Sequence, residues 1–249
     1  MRLELFDYAW FGDFKLCLKE LETLAMSECW DYNLSPTGDL PILFNYIHHT
    51  FNKLNSESKV EIVNDNCVFN TGLVTNNQEE IFAFFSKNMK PKAKQNWFFK
   101  GWKKKSDRDL MVFSSLPDVA NYFDNPNDLI YDTRLELRVN IDHIIDDNKS
   151  RFPTTLPTDN YVLSVLLNGS IEEAKRRLRR NYKTAIPQYF NGKIQLLLPL
   201  CLTSKSKADL ALVIEKENGN YRATTILTLD MAINNARLIA KPDDEWLKA

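Results

Sequence analysis

Apolar residues recur at helical spacing through the first third of the chain. In "FKLCLKELETLAM" Leu16, Leu21, Leu24 and Ala25 make a stripe, and Asp13 stands where an N-cap belongs. In "ILFNYIHHTFNKL" Leu43, Tyr46, Ile47, Phe51 and Leu54 keep a similar period, behind Asp39 as cap and Pro41 in the first turn. The pattern then changes. "KVEIV" and "CVFNTGL" are β-rich runs around Asn64-Asp65-Asn66, which predicts a hairpin. "EEIFAFF" fits helix or strand. "NWFFKGW" and "LMVF" read as strands across a charged loop, and "LPDVANYF" as a short helix. "RLELRVNI" alternates: Leu135, Leu137, Val139 and Ile141 point one way and Glu136, Arg138 and Asn140 the other, as in a half-buried strand.

Pro153 and Pro157 punctuate a loop, and "YVLSVLL" follows as a helix that Asn168-Gly169 can end. Ser170 and Glu173 then match a capping box for a second, basic helix, with Pro187 marking its exit. "GKIQLLLPLCL" is strand-like. "DLALVIEK" and "YRATTILTL" flank "ENGN", the clearest hairpin signal in the chain. "DMAINNARLIA" predicts a closing helix with Asp230 near its N-terminus. Strands arrive in hairpins and not in βαβ units. The expectation is therefore α+β: a helical N-terminal part, an antiparallel sheet, a C-terminal hairpin and a closing helix. No repeat or low-complexity linker shows. Residues 1–249 read as a single unit, with a weak boundary near 150–160.

With 249 residues and 44% hydrophobic content, the chain can bury a sizeable core. No apolar run approaches the roughly 20 residues that span a bilayer. The start, "MRLELFDYAWFGDF", carries Glu4, Asp7 and Asp13 and does not match a signal peptide. Cys17, Cys29, Cys67 and Cys201 are scattered, without a C-x-x-C pair, and read as free thiols. These features together give a cytoplasmic expectation. Phosphate-loop, dinucleotide-binding and nucleophile-elbow motifs are absent, so no cofactor is expected.

Charge changes the picture locally. Lys+Arg 32 against Asp+Glu 33 gives a formal net charge of −1 and no global basic field. Yet "EEAKRRLRRNYKTAIPQYF" holds Lys175, Arg176, Arg177, Arg179, Arg180 and Lys183. Glu172 and Glu173 can pair with Arg176 and Arg177, which neutralises only the first turn. The rest is a solvated face or an anion-binding one. One-signed charge within a neutral chain, and Arg in preference to Lys, favour anion binding, because guanidinium forks match phosphate oxygens. Tyr182, Gln188 and Tyr189 follow closely. In "NWFFKGWKKK", ideal alternation puts Phe98, Lys100 and Trp102 on one face, which reads as core packing or as a stacking platform for single-stranded bases.

His48 and His49 sit mid-helix without spaced metal partners and read as structural. His143 lies at the end of the alternating strand, near Asp142, Asp146 and Asp147, whose spacing matches no recognised metal motif. Thr225, Thr228 and Asp230 end a strand and open the last helix, on which Asn234, Asn235 and Arg237 can read bases or phosphates or simply face solvent.

The segments "LPILFNYIHHTF", "VFNTGL", "NYKTAIPQYFNGKIQLLLPLCL" and "TILTLDMAINNARLIAKPDDEW" resemble a bacterial domain-of-unknown-function family. The resemblance covers nearly the whole chain. It implies occurrence alone or beside RNA-binding modules such as cold-shock and OST-HTH domains, and a role in RNA metabolism; it supplies no catalytic residues. The leading expectation is an RNA-binding or RNA-processing protein, its partner RNA or single-stranded nucleic acid, contacted by Lys100, Trp102, Lys175, Arg176, Arg179, Arg180, Lys183, Tyr189, Asn234 and Arg237. One alternative is a metal-independent ribonuclease with His143 as base, Tyr182, Lys183 or Tyr189 as acid and Arg179, Arg180 or Arg237 as charge stabiliser. Another is an interaction module for an acidic protein.

Overall fold

Two five-stranded sheets organise the chain, each in its own unit, residues 1–121 and 122–249. The computed structural model describes residues 4–33, 36–90, 93–242 and 246–247. The proline-marked loop at 150–160 lies inside the second unit, and the division falls at Asn121/Tyr122.

In the first unit a short helix α1 (Leu5–Tyr8) leads into β1 (Ala9–Trp10). Helix α2 (Phe14–Leu24) starts where Asp13 accepts a hydrogen bond from the Leu16 amide at 3.2 Å. It buries Cys17, Leu18 and Leu21, while Leu16 is 56% exposed, so the buried stripe is rotated from the expected one. Helix α3 (Pro41–Ser56) buries all five residues that its spacing predicts. Asp39 does not cap it. Leu40 precedes Pro41 at φ 54° with no side-chain cap, and Asp39 pairs with Lys15 at 2.9 Å.

Strands β2 (Glu61–Val63), β3 (Asn66–Val74), β4 (Glu80–Lys87) and β5 (Trp97–Lys104) form an antiparallel meander, with β1 added parallel to β5. "EEIFAFF" is β4. Its Ile81–Phe85 are all buried, and a strand covered on both faces carries no alternation. The register of β5 shifts between the partners of Phe84 and Phe85, leaving Lys100 unpaired in the ladder and Gly101 at φ 132°. That bulge breaks the alternation, so Trp97, Phe99 and Trp102 are all buried. "LMVF" is not a strand; Arg108–Val112 form a 3-10 turn. "LPDVANYF" is not a helix. It runs irregularly, held by Lys59 donating to the Val119 carbonyl at 2.8 Å and Asn70 donating to that of Pro117 at 3.3 Å.

The second unit opens with β6 (Leu137–Val139), the short core of the alternating segment, followed by α4 (Ile141–Asn148) and α5 (Asn160–Arg180). The last of these corrects the sequence reading. "YVLSVLL" and the basic segment are one continuous helix of 21 residues, capped by Asp159, which accepts from the Val162 amide at 3.0 Å. Gly169 sits inside it, and Ser170 is buried with its hydroxyl unpartnered, so no capping box forms. Tertiary burial overrides the local stop signal: Leu163, Leu167, Ile171, Ala174 and Leu178 form one face, packed with Ile144, Leu196 and Leu198 in the core.

Strands β7 (Ile186–Phe190), β8 (Lys193–Leu200), β9 (Leu210–Glu217) and β10 (Asn220–Thr228) make a second antiparallel meander, with β6 parallel to β10. Pro187 lies within β7, where an edge strand tolerates it. The "ENGN" hairpin turns on Asn218 at φ 49° and Gly219 at φ 79°, the left-handed pair that a two-residue loop requires. A register shift between Ala223 and Thr225 bends β10. Arg151 donates there to the Ile226 carbonyl and to Thr225 Oγ1, and Thr225 bonds Asn148 at 3.0 Å. Thr228 caps the closing helix α6 (Leu229–Arg237).

The two units share a plan that the amino-acid pattern does not show. Apart from α1 at the start of the first unit and α6 at the end of the second, each runs strand, helix, helix, then four antiparallel strands. In each, the first strand pairs in parallel with the last, giving the orders β1-β5-β4-β3-β2 and β6-β10-β9-β8-β7.

Candidate nucleic-acid interface

The basic residues occupy the C-terminal end of α5, and their roles divide. Ile171, Ala174 and Leu178 face the core as their spacing predicts. Lys175 pairs with Glu172 at 2.7 Å, three residues back, a pairing that the sequence assigns to Arg176 instead. This bond holds the Glu172 carboxyl below the usual carboxylate range. Arg177 pairs with Glu173 at 2.7 Å and also donates to the Lys205 carbonyl, so it is a structural tie. Arg176, Arg179 and Arg180 are exposed, and their guanidinium groups make no hydrogen bond or salt bridge among the described residues. Part of the cluster has a structural reason absent from the sequence reading. Arg177, Arg179 and Arg180 lie in the last turn, where a cation meets the negative end of the helix dipole, worth about 0.3–1 kcal/mol each.

Asn181 ends the helix, and its side chain accepts from the Lys183 amide at 3.0 Å, closing a 3-10 turn over Tyr182–Thr184. Tyr182, in the turn beyond the helix end, is 62% exposed. The turn opens onto a slot of about 210 Å³ between the edge strand β7 and the end of α6. Tyr182, Lys183, Ala185, Ile186 and Pro187 line one side and Ala236, Ala240, Lys241 and Pro242 another, with Leu129 and Ile130 completing it. Among the described residues, Lys183 and Lys241 are its only charged ones. The slot escapes sequence reading because its walls come from segments far apart in the chain; a lysine just after the closing helix is the one trace of it.

The other residues fall around this region or away from it. Tyr189 is half-buried, its ring 4.8 Å from that of Tyr122. Asn234 and Arg237 lie half-buried on α6, Arg237 in its last turn. Gln188 is buried, and it anchors a row of polar groups across three strands. Asn235 donates to Gln188 at 3.2 Å, Gln188 to Gln195 at 2.8 Å, and Gln195 to Glu215 at 3.0 Å, with Lys193 also donating to Glu215. The Lys193 bond holds the Glu215 carboxyl below its usual range.

His143 stands not at a strand end but in the first turn of α4, where its amide donates to Asn140 at 3.3 Å. Its ring is exposed to solvent and lies 3.2 Å from Asp147. Neither His143 nor Arg237 lines the slot that Tyr182 and Lys183 share. Lys100 and Trp102 belong to the first unit. Lys100 is exposed, with its ammonium 5.9 Å from the centre of the Phe98 ring. Trp102 is only 8% exposed and donates its indole N–H to the Cys17 carbonyl at 2.7 Å, so it is a core residue and cannot stack on a base.

Among the described residues, no cluster of three or more His, Cys, Asp or Glu could hold a metal, and no helix is long and apolar enough to cross a membrane. No curated protein and no solved structure matches the chain. A family model does match, over residues 21–246 and thus across both units: the chain belongs to the family described as Domain of unknown function (DUF3825).

Proposed function

We propose that the protein binds single-stranded RNA through the C-terminal end of α5. The observation that carries this is the trio Arg176, Arg179 and Arg180: exposed, clustered on one helix end, and without ion-pair partners among the described residues of a chain of net charge −1. Helix-end stabilisation accounts for cations in the last turn; it does not account for Arg176, which precedes that turn. Guanidinium groups spaced along a helix end suit successive phosphates. The exposed Tyr182 beside them suits a base. A role in RNA metabolism and RNA-binding partner modules belong to the same proposal and rest on the family resemblance; a cytoplasmic setting belongs to it on the scattered, unpaired cysteines.

The test is fluorescence anisotropy with labelled single-stranded RNA over a salt series. Arg176→Glu/Arg180→Glu is expected to weaken binding and to flatten the plot of log affinity against log salt by about 0.7 for each phosphate that the variant no longer neutralises. Unchanged affinity and slope in a folded double variant would remove α5 as the binding face. Polyglutamate competing as well as RNA would assign the face to an acidic protein instead.

A further inference from the structure

We infer that the bound RNA passes from the end of α5 onto the loop between β8 and β9, residues 201–209, where Lys205 and Lys207 hold further phosphates. This rests on the RNA reading above. Arg177 ties the loop to the helix: it pairs with Glu173 on its own helix and donates to the Lys205 carbonyl. Arg180 lies three residues beyond Arg177 and four beyond Arg176, so these guanidinium groups are neighbours on the helix surface. The backbone of Lys205 is thus anchored one side chain away from the arginines that would hold phosphates. The loop also carries its own supports. Asp209 accepts from the Leu202 amide at 2.7 Å, the Thr203 amide at 2.9 Å and the Thr203 hydroxyl at 2.7 Å, and the Ser206 amide donates to Ser204 Oγ at 3.3 Å. A loop fixed in this way loses less freedom when it binds.

Composition selects the occupant. Lys205 and Lys207 are exposed, and their ammonium groups make no hydrogen bond or ion pair among the described residues. Residues 172–183 carry six cations and two carboxylates, and the loop two cations and one carboxylate, so the combined strip is positive. Every exposed residue in 172–181 and 203–207 is polar or charged. Protein-binding surfaces have an apolar, often aromatic centre, whereas nucleic-acid surfaces are polar and strongly basic, and this strip is of the second kind. Charge also sets the direction. The alternative route runs along α5 toward its start, past the exposed Tyr161 and Val165. There Asp142, Asp146 and Asp147 stand exposed on α4, Asp146 accepts from Asn160 at 3.3 Å, and Asp159 caps the helix, with Lys149 as the cation bonded to Asn160. That excess of carboxylates repels an anionic backbone, and the β8–β9 loop does not.

The experiment measures the affinity of labelled single-stranded RNA by anisotropy over a salt series, for Lys205→Gln/Lys207→Gln and for Tyr161→Ala, with circular dichroism as the check on folding. Two lost phosphate contacts should flatten the plot of log affinity against log salt by about 1.4 and weaken binding about 25-fold at 0.1 M salt relative to 1 M. Lys207→Gln alone should give half that change in slope, and it keeps the test valid if the double variant disturbs the loop. Tyr161→Ala should leave affinity and slope unchanged, whereas a base stacked on that ring would make the loss about 5–150-fold. Normal affinity and slope in the folded lysine variants, with Arg176→Glu/Arg180→Glu still weakened, would overturn the path over the loop and leave the RNA reading standing. Weakened binding by folded Tyr161→Ala would overturn the direction by placing the RNA along α5. No binding by the unaltered protein would overturn both the path and the RNA reading.

Discussion

Replacing Gly169 and Ser170 by alanine separates the two possible readings of the basic segment by the sign of a stability change. If a helix ends at Gly169 and another starts with Ser170 as its cap, Ser170→Ala costs about 0.5–2 kcal/mol, and Gly169→Ala also destabilises. The continuous helix α5 reverses both. Gly169 is exposed, and a methyl group there meets nothing within 4 Å, so alanine adds only helix propensity, about 1 kcal/mol of stabilisation. Ser170 is 5% exposed and its hydroxyl has no hydrogen-bond partner. Such a group costs about 1–3 kcal/mol in desolvation, and alanine removes it while leaving no large void. The double variant should gain roughly 2–4 kcal/mol if the two effects add. Urea unfolding followed by circular dichroism measures this as a raised midpoint at unchanged slope, on the transition that contains α5. Loss of more than about 0.5 kcal/mol in either single variant would refute the continuous-helix argument.

Trp102→Phe should lower the stability of the first unit by about 1–3 kcal/mol, since it leaves the Cys17 carbonyl without its indole donor, and should leave RNA affinity unchanged. A folded, equally stable variant with weakened RNA binding would show that the ring stacks on bases after all. Gly72→Ala should also destabilise that unit, because Gly72 sits at φ 73° and a Cβ would lie 2.7 Å from the Tyr46 hydroxyl; Tyr46→Phe in the same chain should recover part of the loss, and no recovery would locate the whole effect in the backbone. Acid should destabilise both units. Lys105 lowers the Glu80 carboxyl, Lys193 lowers that of Glu215, and Arg134 takes Asp132 down to about 2. Each folded value lies below the unfolded one, so the contribution is complete above about pH 5 and is lost as pH falls through the folded values. A melting temperature that holds flat down to pH 3 would contradict this.

How much of this was legible in the sequence depends on how far each signal reaches. The "ENGN" hairpin and the α3 core face were legible because two residues, or one period, contain the information. The β5 bulge was not, because it is set by pairing with β4, and it turned Trp102 inward against the ideal alternation. Ser170 and Glu173 have the right identities and spacing for a capping box, yet burial of Leu167 and Ile171 on either side keeps the helix intact. At the candidate site the charge cluster was visible, but which arginines are free was not. Glu172 reaches Lys175 and the Lys205 carbonyl holds Arg177, partners that spacing alone does not select. The slot was invisible because residues near 130, 185 and 240 meet only after folding.

The parallel strand that closes each sheet bears on the order in which the chain can mature. β6 is the first strand of its unit to be synthesised and the last to find its place, since Leu137 pairs with Tyr221, which leaves the ribosome only after both helices and three further strands. Ala9 stands in the same relation to Trp97. Closing such distant pairs delays the return on chain ordering, so slow folding is expected of both sheets relative to a plain meander. It also makes completion sequential. The first sheet has all its strands once Lys104 is made, while the second leaves β9 without its partner until Thr228 is made, and an unpartnered strand edge on a nascent chain is open to pairing with the wrong strand.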